Sequence, residues 1–362
     1  HRPLEATFAG GDALDLRLEP SRLAFRVLDE VSGEPIAGLR LTLAGQALTP
    51  DAGGWYQISD WDAGQVFQLR AVGYRRHAFK LVLPNPGPPE DGEPLVRVSE
   101  GSAGTRPLLD VVVPRFEVRG IYVPFGLLTR PDKIEELLEL VRATELNALV
   151  IDMKSDRGYL GFPSAIPLAW ELGALRRDVI DIRDLLRRCQ EAGIYTIARQ
   201  VVFKDHPLAT NKPEWAAVME DGAVWLDREG LGWANPFLQE VWDYNLALAR
   251  EIAALGFDEI QFDYLRFPSD GDVSQIVYPQ ENTLETRSAA ITAFMEQMTE
   301  ALRPYDIFVS ADVFGLTIWV EPEHDMGIGQ RVKDITPYVD YLGPMIYPST
   351  FGAGNLGYET PS

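Results

Sequence analysis

The chain has 362 residues, 46% hydrophobic and 24% charged, and carries a formal net charge of −21. That is globular composition with enough chain for two domains. The acidity argues against a polyanionic partner such as DNA, RNA or an anionic membrane, and no stretch approaches the roughly 20 apolar residues of a membrane-spanning helix.

The charge is uneven. Residues 1–116 hold 15 acidic and 12 basic side chains, whereas residues 117–362 hold 39 and 21. The second part therefore suits a neutral or cationic ligand, although a solvated surface explains most of its charge. Cys189 is the single cysteine, which excludes an intramolecular disulfide within these residues and reads as a buried helix position. The sequence opens on His1 rather than Met, which leaves room for a leader removed on export. An extracellular or periplasmic location is the expectation.

Residues 1–84 read as all β. Segments 24–29 and 39–43 alternate polar and apolar residues, as do those near 66–71 and 78–83. Gly- and Asp-containing turns separate them, and this pattern predicts a β-sandwich. Trp55, Tyr56 and Trp61 can be read as a sugar-stacking face or, more simply, as sandwich core with one edge aromatic. Residues 85–116 form a Pro/Gly-rich linker, since Pro84-Asn85-Pro86-Gly87-Pro88-Pro89 cannot hold a regular element. A short apolar strand at 108–113 then leads into the second domain.

From residue 117 the pattern changes to alternating strand and helix. Strands are expected at 120–125, 147–153, 195–203, 259–262, 307–313 and 341–347. Helices are expected near 131–143, 181–192, 240–255 and 284–302. Apolar strands between helices predict a parallel sheet. No phosphate-binding GxGxxG or GxxxxGK[ST] follows a strand, so a (β/α)8 TIM-type barrel is favoured over a nucleotide-binding sheet, and no cofactor is expected.

The strand ends carry the chemistry. They deliver Asp152 and Lys154, then Arg199, then Asp263 and Arg266, then Asp312, then Tyr347. In a barrel these tips converge on one face. Each has a plainer role, capping a loop or tying neighbouring strands by an ion pair. As a set they suit glycosidic cleavage, in which one carboxylate acts at the anomeric carbon and one carboxylic acid protonates the leaving oxygen. Asp263 and Asp312 are the candidates, with Arg199, Arg266, Asp152 and Lys154 as charge partners or hydroxyl ligands. Trp233 and Trp319 are the candidate stacking surfaces for a sugar, against loop-packing roles, and Trp242 reads as helix core. Four His at 1, 77, 206 and 324, without HxH or HExxH spacing, give a metal-dependent hydrolase little support, and no metal is expected.

Five segments occur in order: Arg119–Val123, Leu146–Lys154, Ile197–Asp205, Gly232–Pro236 and Gly256–Gly271. They resemble a bacterial glycoside-hydrolase-like barrel family, long known as a domain of unknown function and related to the α-amylase and α-galactosidase barrels. The resemblance implies Asp263 as nucleophile and Asp312 as acid/base, although related barrels also draw the acid from the sixth strand. It further implies two more βα units beyond the sixth-strand motif Pro344–Pro348, so strands seven and eight, with any site residues on them, are expected outside these residues. Residues 23–84 resemble the transthyretin-like or carboxypeptidase-regulatory β-sandwich, a docking module. The expected protein is an exported glycoside hydrolase cleaving a polysaccharide or oligosaccharide. The alternative is a carbohydrate-binding barrel without turnover. The acidity of the barrel favours a cationic amino-sugar polymer over an acidic one.

Overall fold

The computed structural model describes residues 23–59, 64–81, 94–98 and 108–347, together with 353, 354, 357 and 359. The chain divides into two compact units, His1–Glu117 and Val118–Ser362.

The first unit contains β1 (Leu23–Asp29), β2 (Arg40–Leu43), β3 (Gln46–Leu48), β4 (Trp55–Ile58), β5 (Val66–Arg70), β6 (His77–Lys80), β7 (Leu95–Val98) and β8 (Leu108–Val113). They form two four-stranded sheets, ordered β4-β1-β8-β7 and β3-β2-β5-β6. Alternation drives the packing: Leu23, Phe25 and Val27 point into one apolar cluster that also receives Leu41, Phe67 and Leu69 from the other sheet. Phe25 meets Phe67 edge-on across the two sheets, with centroids 5.2 Å apart.

One expectation changes here. Residues 108–113 do not lead into the second unit; β8 runs parallel to β1 and antiparallel to β7, inside the first unit's own sheet. The proline-rich stretch 84–92 lies outside the described residues. Tyr56 is buried and stacked on Phe25 at 5.4 Å, so it belongs to the core and not to a sugar face. Trp55 is partly covered by Arg26, 4.6 Å above its ring, and Trp61 lies outside the described residues.

The second unit contains the strands β9 (Gly120–Val123), β10 (Ala148–Lys154), β11 (Tyr195–Val201), β12 (Glu259–Asp263), β13 (Phe308–Phe314) and β14 (Tyr341–Met345). Its helices are α1 (Pro131–Ala143), α2 (Pro167–Glu171), α3 (Ile182–Glu191), α4 (His206–Asn211), α5 (Gln239–Ala254), α6 (Leu284–Leu302) and α7 (Val332–Ile335). Local chemistry sets their ends. Pro131 opens α1, Asp181 caps α3 by accepting from the Arg183 and Asp184 amides, and Thr283 with Thr286 forms a reciprocal cap on α6.

All neighbouring strand pairs in this sheet are parallel, and the order follows the sequence from β9 to β14. Right-handed crossovers that always step the same way place the helices on one face. This is the winding of a TIM-type barrel, not of a doubly wound sheet, whose order reverses at a switch point. Side-chain parity agrees. Ile151, Ala198, Ile260, Phe262, Ala311 and Val313 pack with Leu138, Leu185, Ile252 and Phe294 of the helices in one core. The alternate residues of the same strands face the other way, and Cys189 lies buried in the helix layer.

Candidate active site

The inward parity of the strands builds a cavity of about 630 Å³, and Arg199, Asp263, Arg266, Asp312 and Tyr347 are among its lining residues. At its centre Arg199 ties three strands together. Its Nη1 donates to Asp152 Oδ1 at 2.6 Å and its Nε to Asp263 Oδ2 at 2.9 Å. Behind it, Asp152 Oδ2 accepts from the Tyr122 hydroxyl at 2.7 Å and from the Phe125 amide at 3.0 Å. Asp152 therefore positions Arg199 and does not itself line the cavity. Burial works against the Arg199 charge, but Asp263 and Asp152 outweigh it and hold the guanidinium firmly protonated, above its ordinary value. Burial raises the Asp152 carboxyl, against the pull of Arg199 and Tyr122.

Asp263 and Asp312 sit on adjacent strands in contrasting surroundings. The Asp263 carboxylate accepts from two Arg199 nitrogens on Oδ2 and from the Tyr264 amide on Oδ1, the latter at 2.6 Å. Tyr264 takes a left-handed conformation (φ 49°) that turns the chain at the strand tip. Such a conformation costs roughly 1–2 kcal/mol in a non-glycine residue and is often found where a site demands it. The Asp312 carboxyl receives no hydrogen bond from a described residue. Burial first, and then the neighbouring Asp263 charge, raise its pKa well above the ordinary value, with Arg199 opposing. Space for this carboxyl comes from Gly343 on β14: a Cβ there would stand 2.4 Å from Asp312 Oδ1.

One layer deeper along the same faces, Glu259 Oε1 accepts from Ser310 Oγ at 2.5 Å and its Oε2 from the Tyr195 hydroxyl at 3.1 Å. Burial raises its pKa to about 7. At the rim, Gln330 Nε2 donates to the Leu265 and Asp312 carbonyls at 3.1 and 3.2 Å, pinning the loop after β12 to β13.

Three candidates from the sequence lie elsewhere. Lys154 shares the parity of Asp152, but the pairing with β11 slips by one residue between Asp152 and Lys154, a bulge that turns Lys154 toward the helices. It is fully buried there, 2.8 Å from Asp205, and donates to Asn245 Oδ1 at 3.0 Å. Trp233 is fully buried as well, with its Nε1 on Asp227 Oδ2 at 3.0 Å, so no sugar can stack on it. Trp319 is half exposed on the loop after β13 and is not part of the cavity lining. Trp242 packs on Phe294 within the helix layer. Asp205 caps α4 by accepting from the Leu208 amide, and His206 Nδ1 accepts from the Gly232 amide at 3.0 Å. Among the described residues no group of His, Cys, Asp and Glu is arranged to hold a metal.

Sequence reading passed over Tyr122, Gln261, Tyr264, Gly343 and Glu259. Strand parity holds the signal for two of them: Glu259 and Gln261 share a face with Asp263, as Ser310 does with Asp312.

A singly wound parallel α/β unit whose strand tips carry two carboxyl groups in one cavity is a recurring enzyme architecture. The chain belongs to the family described as “Putative glycosyl hydrolase domain”, whose model matches residues 120–362. Similar solved structures include a hypothetical protein from Ruminiclostridium thermocellum ATCC 27405, 32% identical over 53% of this chain and 97% of that one, with a TM-score of 0.48. The PgaB (BpsB) glycoside hydrolase domain from Bordetella bronchiseptica is 13% identical over 63% of this chain and 74% of that one, with a TM-score of 0.48. The GH20 exo-β-N-acetylglucosaminidase from Vibrio harveyi is 14% identical, with a TM-score of 0.44; the match covers 65% of this chain and 46% of that one, under half its length. No curated protein matches the sequence.

Proposed function

We propose that the second unit is a glycoside hydrolase in which Asp263 is the nucleophile and Asp312 the acid/base. One observation carries this reading: two carboxyl groups on adjacent strands share a cavity in contrasting hydrogen-bonding surroundings. Asp263 is held by three N–H donors suited to a carboxylate. Asp312 lacks such donors and is biased toward its protonated form. That division is what acid–nucleophile catalysis requires. Asp263 attacks the anomeric carbon as the glycosidic bond breaks, and the Asp312 proton passes to the leaving oxygen. Asp312 then takes a proton from water, which displaces Asp263 and frees the sugar.

The winding of β9 to β14 supports a (β/α)8 barrel. The apolar cluster shared by the two sheets of the first unit supports a β-sandwich there. Action on an extracellular or periplasmic polysaccharide fits this pairing. The test is release of reducing ends from neutral, acidic and amino-sugar polysaccharides by the full chain beside Asp263→Asn. Release by the unaltered protein alone is expected. Saturable binding by both proteins without release from any polymer would instead identify a carbohydrate-binding barrel.

A further inference from the structure

Arg266 reaches the cavity wall from a buried position, with 7% of its surface exposed. Aromatic rings surround its guanidinium. Cζ lies 4.3 Å from the Phe314 centroid, 4.7 Å from that of Tyr264 and 5.2 Å from that of Trp233. Rings hold a guanidinium by its plane and leave its donors at the edge. Of those donors, Nη1 reaches Ser269 Oγ, while Nε has no acceptor among the described residues. The acidic groups that act on this cation are paired elsewhere: Asp263 with Arg199, Asp270 with Arg228 and Asp227 with Lys204. Burial therefore wins and lowers the Arg266 pKa from its ordinary value. A buried cation without a counter-ion is costly to keep, and a ligand able to supply the missing charge gains from it.

We propose that Arg266 is a specificity-determining residue that pairs with a carboxylate on the sugar, so that the cavity takes a glycan of the uronic-acid type. The inference rests on the glycosidase reading of the cavity and adds the class of substrate. A planar guanidinium edge matches a carboxylate through charge-assisted hydrogen bonds. Phe314, Leu316, Met326 and Met345 supply an apolar wall for the C–H face of the ring. Arg199 is already paired with Asp152 and Asp263, which leaves Arg266 as the cation of the cavity wall without an ion pair among the described residues. The acidity of the molecule as a whole points the other way, toward a cationic polymer. It acts at a distance, however, and salt screens exposed charges beyond about 8 Å at physiological ionic strength. Contact inside the cavity is decided by the groups that touch the ligand.

The experiment is calorimetric titration of the full chain with an oligouronide, with the same oligomer after its carboxyl groups are reduced to alcohols, and with a glucosamine oligomer. The oligouronide is expected to bind at least tenfold tighter than its reduced form. Arg266→Gln is expected to bring the two within twofold, and Arg266→Lys, which keeps the charge, to retain part of the preference. Equal or tighter binding of the reduced or amino-sugar oligomer overturns the inference, as does a preference that survives Arg266→Gln or no binding of any of the three. If Arg266→Gln does not fold, the comparison on the unaltered protein decides alone. Bond cleavage is scored in the same samples. Cleavage of neutral or amino-sugar oligomers without carboxylate preference sinks the inference and leaves the glycosidase reading standing. Carboxylate-dependent binding without cleavage of any oligomer does the reverse.

Discussion

Burial, and then the Asp263 charge beside it, raise the Asp312 pKa well above the usual carboxylate value, with Arg199 opposing. A general acid must be protonated to act, so the basic limb of the pH profile of kcat/KM is expected well above the usual carboxylate range. Asp312→Asn should remove that limb and slow cleavage by about 10²–10⁴-fold. The loss should shrink on aryl glycosides whose leaving groups need no proton. An unchanged basic limb in Asp312→Asn would assign the acid to another residue. Gly343 matters through what it omits. Its neighbour across the strand pair is Asp312 itself, and a methyl group in that position meets the carboxyl oxygen. Gly343→Ala is expected to cost about 10²-fold in kcat, the scale of a displacement near 1 Å, with little change in melting temperature. Full activity in that variant would show that Asp312 can move without penalty.

At the scale of the element, the bulge at the end of β10 decides which residues face the cavity and which the helices. Up to Asp152 the strand alternates between cavity and helix layer. After the slip, Lys154 faces the helices and enters a buried polar group with Asp205, Asn245 and the Val202 carbonyl. Burial lowers the Lys154 pKa, with Asp205 opposing. Removing one partner of a buried pair strands the other, at a cost of about 3–5 kcal/mol. Lys154→Met should therefore lower the denaturant midpoint sharply while leaving KM for any cleaved substrate near its original value. A raised KM at unchanged stability would restore Lys154 to the substrate. Replacing Asp205 as well should recover part of the lost stability, because the stranded charge is gone. The recovery stays incomplete, since Asp205 also caps α4.

For the molecule as a whole, stability carries a signature of the interior of the second unit. Burial raises the Glu259 pKa from 4.5 to about 7. Between those values the folded chain binds more protons than the unfolded chain, so raising the pH weakens folding. The contribution is fully present below pH 4.5 and is lost as pH rises through about 7, with a size on the order of 3 kcal/mol. Glu259→Gln stays neutral and should flatten this slope in denaturant midpoints measured between pH 5 and 8. An equal slope in both proteins would locate the pH dependence elsewhere.

Much of the second unit is legible residue by residue. Apolar strand runs, helix caps such as Pro131 and Asp181, and the glycines that follow helices are local signals. They were enough to order six strands and to mark Arg199, Asp263, Arg266, Asp312 and Tyr347 as strand-end groups that the structure brings to one cavity. What local signals cannot carry is pairing at long range. A slip of one residue against β11 turned Lys154 away from Asp152, and contacts with Asp227, Tyr264 and Arg266 hold Trp233 in the core. The strand at 108–113 joined a partner more than eighty residues earlier, not the sheet that follows it. Sequence by itself determined the alternation of elements and the chemistry available at their ends, because periodicity and capping are properties of neighbouring residues. Tertiary structure alone decided which of those groups share the cavity and which carboxyl lacks donors, because burial and charge pairing depend on groups distant in the chain and adjacent in space.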